Sequence, residues 1–217
     1  MAEITKELKI MIIGSSGVGK TSFVQRWTNG KFCNDYKATI ISDFGFKIYN
    51  YKEELYRIQL WDIGGQDKSA SMAKIFARDS HGCIVVTDLS INEPPQEIFK
   101  WKEIISDEST LVDDEKIPFV LIGNKVDLIE SEEEKKKLEA KSKEICDKYG
   151  FFNYFLTSAK DGTNIDESMK FLVEYIIERI NKFCNESGVE FGQKRKDSIK
   201  ITEKNHVIRK EEKNGCC

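Results

Sequence analysis

Eight residues near the start of the chain have the types and the spacing of a phosphate-binding loop. The stretch from Gly14 to Thr21 reads GSSGVGKT and matches the pattern G-x-x-x-x-G-K-[ST]. Such a loop surrounds a nucleotide phosphate with backbone N–H groups, and its glycines let the main chain approach closely. We expect Lys20 to reach the β- and γ-phosphates and the Thr21 hydroxyl to ligate Mg²⁺. The residues predicted to contact nucleotide here are Ser15, Ser16, Gly17, Val18, Gly19, Lys20, Thr21 and Ser22.

A second set of polar residues, reading DIGGQ, follows an apolar stretch that ends at Trp61. Asp62 is placed to hold Mg²⁺, usually through a water, and Gly65 lacks a side chain, so its N–H can approach a γ-phosphate. Gln66 is the right type of residue to orient an attacking water, and we predict Gln66 and Lys20 as the catalytic residues. Taken alone, this stretch also fits a simple turn, but its spacing from the phosphate loop favours the chemical interpretation.

A third set, Asn124-Lys125-Val126-Asp127, selects the base. The Asp127 carboxylate can accept hydrogen bonds from N1–H and the 2-amino group of guanine, whereas adenine has a donor at neither position. The stem of Lys125 can lie over the base, and Asn124 can connect the surrounding loops. The base pocket is completed by backbone N–H groups of a later loop, at Ser158, Ala159 and Lys160.

The elements that must position these residues alternate between apolar strand-like stretches and helix-like periodicity. The predicted strands are 8–13, 44–49, 55–62, 82–88, 117–123 and 151–157, and the predicted helices are 22–29, 72–78, 96–105, 132–149 and 165–184. Residues 50–53 indicate a hairpin turn, whereas the last three strands are continuously apolar, as in parallel strands covered on both faces. We predict an α/β fold of the P-loop NTPase type: a six-stranded, mostly parallel sheet with one antiparallel strand and helices on both faces.

The composition indicates one domain with an appendage. The chain has 217 residues, of which 40% are apolar and 33% charged, as is typical of a soluble protein. We assign residues 1–184 to the domain and the polar residues 185–217 to a flexible tail. The net charge of −3 gives no reason to expect nucleic-acid binding, and no apolar stretch approaches the roughly 20 residues of a membrane span. The start of the chain shows no secretion signal or myristoylation site, and His81 and Cys83 are interpreted as structural residues.

Together these motifs resemble the Ras superfamily of small GTPases and, within it, the Rab branch. The similarity covers roughly residues 7–184 and the two terminal cysteines. The Rab-like features are Trp61, the stretch YKATI that begins at Tyr36, the pair Asp43-Phe44, and Cys216 with Cys217. The resemblance implies that Thr39, in the segment called switch I, contacts Mg²⁺ and the γ-phosphate, and that Phe32 packs edge-on against guanine.

The resemblance implies further roles for single residues. Tyr36 joins the nucleotide contacts, and the three predicted Mg²⁺ ligands are Thr21, Thr39 and Asp62. The aromatic triad that members of the family present to effectors is matched by Phe44, Trp61 and Phe76. Cys216 and Cys217 match a double geranylgeranylation site, and two lipid chains anchor a protein stably where one binds a membrane only marginally.

By this resemblance the chain is expected to be a GTP/GDP switch that regulates vesicle and membrane trafficking and hydrolyses GTP slowly. Its ligands would be Mg²⁺ and GTP or GDP, and its protein partners would be effectors, an exchange factor, a GTPase-activating protein, a Rab escort protein and a GDP-dissociation inhibitor. We expect a monomer on the cytoplasmic face of endolysosomal or Golgi-derived membranes, cycling with the cytosol. Within the Rabs, the chain looks most like the subgroup serving lysosome-related organelles and the trans-Golgi.

The chain departs from the family pattern in switch I and in the DIGGQ stretch. Ile41 stands where a glycine is usual in switch I. Gly64 replaces the usual alanine before Gly65 and Gln66, which loosens the backbone at the predicted water-orienting residue. Two alternatives stay open. The departures at and after Gly64 favour a nucleotide-dependent effector-binding scaffold with negligible hydrolysis. The other alternative is an ATP-using phosphoryl-transfer enzyme, against which the guanine motif argues.

Overall fold

The structure, a computed structural model, describes residues 6–34, 38–91, 95–106, 110–113 and 115–191, with the backbone alone at 67–71 and 95. Its strands are β1 (Lys6–Ile13), β2 (Ser42–Tyr51), β3 (Glu54–Ile63), β4 (Gly82–Asp88), β5 (Phe119–Asn124) and β6 (Asn153–Leu156). Its helices are α1 (Lys20–Asn29), α2 (Asp67–Ala77), α3 (Pro95–Ser106), α4 (Glu132–Tyr149) and α5 (Ile165–Ser187). A short 3₁₀ turn, Val126–Leu128, follows β5. Tyr36, Cys216 and Cys217 lie outside the described residues.

The six strands form one sheet in the order β2-β3-β1-β4-β5-β6. β2 runs antiparallel to β3, and the other neighbouring strands run parallel. β4 and β5 are buried along their whole length, and for this reason they appear in the sequence as continuous apolar stretches. The predicted α/β sheet is confirmed. The carboxyl ends of its parallel strands share one edge, where open sheets of this kind bind their ligands.

Side-chain alternation along β1 divides the hydrophobic core into two layers. Ile10 faces one side of the sheet, together with Phe23 of α1 and Leu172 of α5. Met11 faces the other side, where it joins Trp101 of α3, and where α2 and α4 also pack. Helices therefore cover both faces of the sheet, as predicted, and hold the strand ends as a fixed frame for the loops at the carboxyl edge.

The start of β5 differs from the prediction for a reason that lies in one residue. The strand begins at Phe119, two residues after the predicted start at 117. Pro118 has no N–H to donate to a strand ladder, so the ladder cannot include it as a donor. Its carbonyl oxygen still accepts from the N–H of Cys83 at 3.0 Å, which brings the chain alongside β4 just before the strand starts.

The last helix passes the predicted domain boundary at residue 184 and ends at Ser187. It ends there because Gly188 adopts a φ of 70° and its N–H donates to Cys184 O at 2.9 Å. Phe191 then packs against Tyr56, with ring centroids 5.9 Å apart. Residues 185–191, assigned to the tail from the sequence, are thus continuous with the domain. Among the described helices, none combines the length and apolarity that a bilayer span requires.

Candidate nucleotide-binding site

The predicted phosphate loop joins the end of β1 to the start of α1. Gly14 and Gly19 take positive φ angles of 138° and 98°. A Cβ at Gly14 would lie 2.1 Å from Val86 O, and a Cβ at Gly19 would lie 2.3 Å from Asn124 Nδ2, so only glycine fits at either position. Lys20 is buried, and its Nζ donates to two carbonyl oxygens of the loop, at 2.9 and 2.8 Å. The loop therefore brings a lysine and the N-terminus of α1 to the same cavity.

Three oxygen-bearing side chains meet beside this loop. Thr21 Oγ1 lies 2.9 Å from Thr39 Oγ1 and donates to Asp62 Oδ2, which also accepts from Thr39 at 3.4 Å. Asp62 is 1% exposed, and its Oδ1 has no partner among the described residues. Burial raises the pKa of this carboxyl, opposed by the hydrogen bond from Thr21 and the charge of Lys20. Hydroxyl and carboxylate oxygens are the ligands that Mg²⁺ prefers, so this set, with its unpaired buried oxygen, fits the ion.

Asn124 connects three loops at the carboxyl edge of the sheet. Its Nδ2 donates to Val18 O of the phosphate loop at 2.8 Å. Its Oδ1 accepts from the Ala159 N–H at 3.1 Å and from the Thr157 hydroxyl at 3.4 Å, both in the loop after β6. The Ala159 N–H, one of those predicted to complete the base pocket, is therefore bonded to Asn124 in this structure.

The residues predicted to contact the base are oriented by two other elements. Lys125 Nζ lies 2.5 Å from Asp88 Oδ2 at the end of β4. Asp127 Oδ1 accepts from Ser158 Oγ at 2.7 Å, and Lys160 Nζ lies 3.7 Å from Asp127 Oδ2. The carboxylate is thus oriented by the loop after β6 and the Lys125 stem by β4. Sequence reasoning missed Asp88, although its place at a strand's carboxyl end is the signal that identified the other residues.

A cavity of about 550 Å³ brings most of the predicted nucleotide contacts together. The predicted residues that line it are Ser16, Gly17, Gly19, Lys20, Thr21, Ser22, Phe32, Thr39, Gly65, Asn124, Lys125, Asp127, Ala159 and Lys160. Three predicted residues lie behind this lining: Ser15 and Val18 offer carbonyl oxygens to Lys20 and Asn124, and Ser158 offers its hydroxyl to Asp127. These three residues support the cavity rather than line it.

Four residues that line the cavity were not predicted from the sequence, and they are Gln25, Cys33, Asn34 and Leu128. Gln25 lies one helical turn after Thr21, so the periodicity of α1 could have identified it. Leu128 directly follows Asp127, so its place beside the guanine motif is the signal that could have identified it. Cys33 and Asn34 follow Phe32 in an irregular segment and carry no comparable signal.

In the DIGGQ segment, Gly65 lies against the phosphate loop, whereas Gln66 is exposed to solvent. Gly65 lies directly against the loop, where a Cβ would be 2.4 Å from Ser16 N. The Gly64 N–H donates to Ile41 O at 2.9 Å, which joins the two segments that depart from the family pattern. Gln66 precedes α2 with an extended backbone (φ −92°, ψ 153°), and it is exposed and does not line the cavity. The structure thus brings Gly65, but not the Gln66 side chain, to the phosphate loop.

The sequence model of the Ras family matches residues 9–178 of this chain. Ras-related protein Rab-32 of Sus scrofa is 35% identical over 210 residues, which span 96% of this chain and 88% of that protein. Ras-related protein Rab7A of Mesembryanthemum crystallinum is 37% identical over 173 residues, spanning 80% of this chain and 83% of that protein. Ras-related protein RABG3f of Arabidopsis thaliana is 39% identical over 163 residues, which span 75% of this chain and 79% of that protein. The chain belongs to the Rab branch of the Ras family.

As a Rab GTPase, this protein binds guanine nucleotide with Mg²⁺ and hydrolyses GTP to GDP and phosphate. It acts in membrane trafficking, associates with intracellular membranes and interacts with the general classes of regulators that serve Rab proteins. The predicted family and the predicted function are therefore confirmed. The alternatives of a scaffold without hydrolysis and of an ATP-using enzyme are not favoured by these relatives.

The Rab GTPase carries an aromatic face formed by β2, β3 and Phe76 of α2. The ring centroids of Phe44 and Trp61 lie 5.5 Å apart, and those of Trp61 and Phe76 lie 5.4 Å apart. Phe46 and Ile48 extend this face along the edge strand, with exposed fractions of 51% and 40%. Sequence reasoning missed both residues, although alternation along β2 places them on the same face as Phe44.

His81 and Cys83 have contacts that suit structural residues. The Nδ1 atom of His81 accepts from the Lys9 N–H at 3.1 Å, and the His81 N–H donates to Lys9 O at 2.8 Å. Burial lowers the pKa of His81 to about 4, so the side chain is neutral at physiological pH. Burial also raises the pKa of the Cys83 thiol, which makes it unreactive.

Proposed function

We propose that the cavity at the carboxyl edge of the sheet is the switch site of this Rab GTPase, and that its terminal cysteines hold it on an endolysosomal or Golgi-derived membrane. One observation carries the first part. The phosphate loop, the oxygen cluster of Thr21, Thr39 and Asp62, and the oriented carboxylate of Asp127 come together around one cavity. A guanine nucleotide bound together with Mg²⁺ uses all three groups at once.

In this proposal the phosphate end of the cavity carries the hydrolysis. Backbone N–H groups and Lys20 bind the phosphates, and the oxygen cluster holds Mg²⁺, which when bound neutralises charge on the transferred phosphoryl group. The Gly65 N–H binds the γ-phosphate, and Gln66 orients a water for in-line attack. Since Gln66 is exposed at the start of α2, its segment must reorder toward the phosphate before it can act. A slow intrinsic rate, on the order of 10⁻⁴ s⁻¹, is consistent with that requirement.

At the other end of the cavity, Asp127 selects guanine. Its carboxylate, oriented by Ser158, accepts from N1–H and the 2-amino group of the base. The stem of Lys125 lies along the base because its ammonium group is held by Asp88. Phe32, which lines the same cavity, packs edge-on against the base from switch I.

The difference between the GTP and GDP states arises in two connected segments that contact the γ-phosphate. Thr39 belongs to switch I and Gly65 to the segment before α2, and the hydrogen bond from the Gly64 N–H to Ile41 O joins them at 2.9 Å. Loss of the γ-phosphate removes the contacts of both segments at the same time. The aromatic face lies on β2, β3 and α2, which are adjacent in the chain to these segments, so effectors that bind this face distinguish the GTP state from the GDP state.

The membrane part of the proposal is supported by family membership and by the two cysteines that end the sequence. Geranylgeranyl groups on Cys216 and Cys217 anchor the protein, a Rab escort protein presents it for modification, and a GDP-dissociation inhibitor returns it to the cytosol as a monomer. Replacement of both cysteines by serine should leave the protein diffuse in cells while GTP binding persists. Membrane association that survives the replacement would contradict this part.

The test of the site is a change of base specificity. In Asp127→Asn, the side-chain amide donates to the 2-oxo group of xanthine but can no longer accept both guanine protons. We expect this variant to lose GTP affinity by at least about hundredfold and to prefer xanthosine triphosphate, while the unchanged protein prefers GTP over ATP. Displacement of a ribose-labelled fluorescent GDP measures all of these affinities. If Asp127→Asn keeps the preference for GTP, Asp127 does not select the base.

A further inference from the structure

Arg26 makes hydrogen bonds that the nucleotide contacts described above do not require. The residue lies on α1, in the second turn after Lys20. Its guanidinium group donates from Nε to Ala159 O at 2.8 Å, from Nη1 to Gly30 O at 2.8 Å, and from Nη2 to Lys160 O. One planar side chain thus holds three main-chain carbonyl oxygens, two of them more than 130 positions away in the sequence.

These carbonyl groups belong to the two segments that close over the base. Ala159 and Lys160 lie in the loop after β6, whose Ser158 donates to Asp127 Oδ1 at 2.7 Å. Gly30 ends α1 and stands two residues before Phe32, the first switch I residue that lines the cavity. Arg26 itself does not line the cavity. Arg26 therefore contacts the two segments on either side of the predicted base site without lining the cavity itself.

The end of α1 does not account for these contacts. The helix is closed by the main chain, because the Gly30 N–H donates to Arg26 O at 2.9 Å and Gly30 adopts a φ of 67°. The loop after β6 also has its own support, since Asn164 Nδ2 donates to Leu156 O at 2.8 Å. The Arg26 side chain is thus an additional connection between two segments that each have other hydrogen bonds of their own.

We propose that Arg26 is a positioning residue that keeps Asp127 and Phe32 in register with the guanine base and thereby slows the release of GDP. This inference rests on the assignment of Asp127 to guanine under the proposed function. Arginine suits the role because its fork of donors reaches several carbonyl oxygens in fixed directions, whereas the single ammonium group of lysine cannot span them. Loss of the fork leaves the loop after β6 free to shift and weakens the hydrogen bonds that Asp127 makes to the base.

The first measurement is the dissociation rate of ribose-labelled fluorescent GDP from full-length protein in excess Mg²⁺. Arg26→Ala removes charge-assisted hydrogen bonds, and we expect release about tenfold faster than from the unchanged protein. Arg26→Lys keeps the charge and should release GDP at an intermediate rate. The lysine variant also keeps the test decisive if the alanine variant does not fold.

The second measurement separates positioning from a general loss of stability. Inosine diphosphate lacks the 2-amino group of guanine, so Asp127 makes one fewer hydrogen bond to it. If Arg26 acts through Asp127, Arg26→Ala should accelerate the release of inosine diphosphate by only about threefold, against about tenfold for GDP. A purely structural role would accelerate the release of both nucleotides by the same factor.

Arg179→Ala is the matched control. Arg179 also holds loop groups, with Nε 2.7 Å from Asp113 Oδ2 and Nη1 3.3 Å from Lys116 O, but these groups do not line the cavity. This variant should lower the melting temperature and leave GDP release unchanged. If Arg26→Ala accelerates the release of GDP and of inosine diphosphate equally, or accelerates neither, the inference is wrong. The proposed function stands in that case, provided that Asp127→Asn loses its preference for guanine. If Asp127→Asn keeps that preference, the proposed function fails and the inference fails with it.

Discussion

The side-chain amide of Asn124 donates to the carbonyl oxygen of Val18 at 2.8 Å, across 106 positions of sequence. The same side chain accepts from the Ala159 N–H through its oxygen at 3.1 Å. The loop that binds phosphates and the loop behind the base are therefore held by one buried residue. This arrangement sets the distance between the phosphate end and the base end of the cavity before any nucleotide arrives.

Asn124→Ala should loosen both ends of the cavity together. The substitution leaves Val18 O and the Ala159 N–H unpaired in a buried position, at a cost of about 1–3 kcal/mol each. We therefore expect GDP affinity to fall by roughly hundredfold, measured from the association and dissociation rates of fluorescent GDP. Asn181→Ala is the control, since Asn181 bonds the Tyr56 hydroxyl away from the cavity. GDP affinity that stays within about twofold in Asn124→Ala would contradict this role.

The two adjacent glycines before Gln66 should respond in opposite ways to alanine. The φ of Gly64 lies outside the left-handed region, so its backbone conformation is one that alanine adopts, and an alanine there restricts the segment that carries Gln66. We expect Gly64→Ala to speed intrinsic GTP hydrolysis by about two- to fivefold. Gly65→Ala should slow it by at least about tenfold, because the new Cβ would lie 2.4 Å from Ser16 N. Single-turnover hydrolysis of bound GTP measures both variants, and equal rates in the two would contradict the assignment.

Removal of Mg²⁺ should accelerate the release of GDP. Without the ion, the buried carboxylate of Asp62 and the phosphates of the nucleotide repel each other, and among the described residues Lys20 alone offsets their charge. Excess EDTA is expected to raise the dissociation rate by roughly hundredfold, which corresponds to about 2.8 kcal/mol. Thr21→Ala should respond less to the chelator, since it lacks one of the three oxygen ligands. EDTA saturated beforehand with Mg²⁺ is the control. A GDP dissociation rate that does not change when free EDTA is added would exclude an ion at this cluster.

Acid should destabilise the fold through His81. The pKa of His81 is about 4 in the native protein, against 6.5 for an ordinary histidine. Between these values the unfolded chain binds a proton that the native protein does not, so the free energy of unfolding falls as the pH drops below about 6.5. The loss is about 3 kcal/mol near pH 4 and becomes constant about one pH unit lower, where the native histidine is also protonated.

His81→Asn tests this dependence, because asparagine can accept from the Lys9 N–H in place of Nδ1 but does not titrate. Denaturant unfolding of the GDP-bound protein at pH 7.5 and at pH 5 measures the free energy of unfolding at each pH. The difference in stability between the two pH values should be smaller in His81→Asn than in the unchanged protein. An equal difference in both proteins would show that other groups cause the acid sensitivity.

The sequence predicted best what depends on neighbours along the chain. β4 and β5 can be identified because strands buried on both faces are continuously apolar up to their carboxyl ends. The phosphate loop and the Asn124–Asp127 motif were identified because each group of residues acts over a few consecutive positions. Element ends were predicted less well, since single residues such as Pro118 and Gly188 decide them through main-chain hydrogen bonds.

The residues that the sequence did not reveal act through partners far away in the chain. Asp88 matters because Lys125 reaches it from the end of the next strand, and Arg26 because two carbonyl groups come to it from the loop after β6. Asp88 carried the signal of a strand's carboxyl end, but its pairing with Lys125 and the contacts of Arg26 leave no local pattern. Phe46 is different, because the alternation along β2 places it on the same face as Phe44 and could have identified it from the sequence.

The central claim is that bound GTP is hydrolysed in this cavity by a water that Gln66 orients. Single-turnover release of phosphate from protein preloaded with GTP and Mg²⁺ tests it most directly. The account predicts slow release by the unchanged protein, on the order of 10⁻⁴ s⁻¹, and release at least about tenfold slower by Gln66→Leu, with both proteins retaining GTP equally well. Equal rates of phosphate release from the two proteins, with and without a GTPase-activating protein, would contradict it.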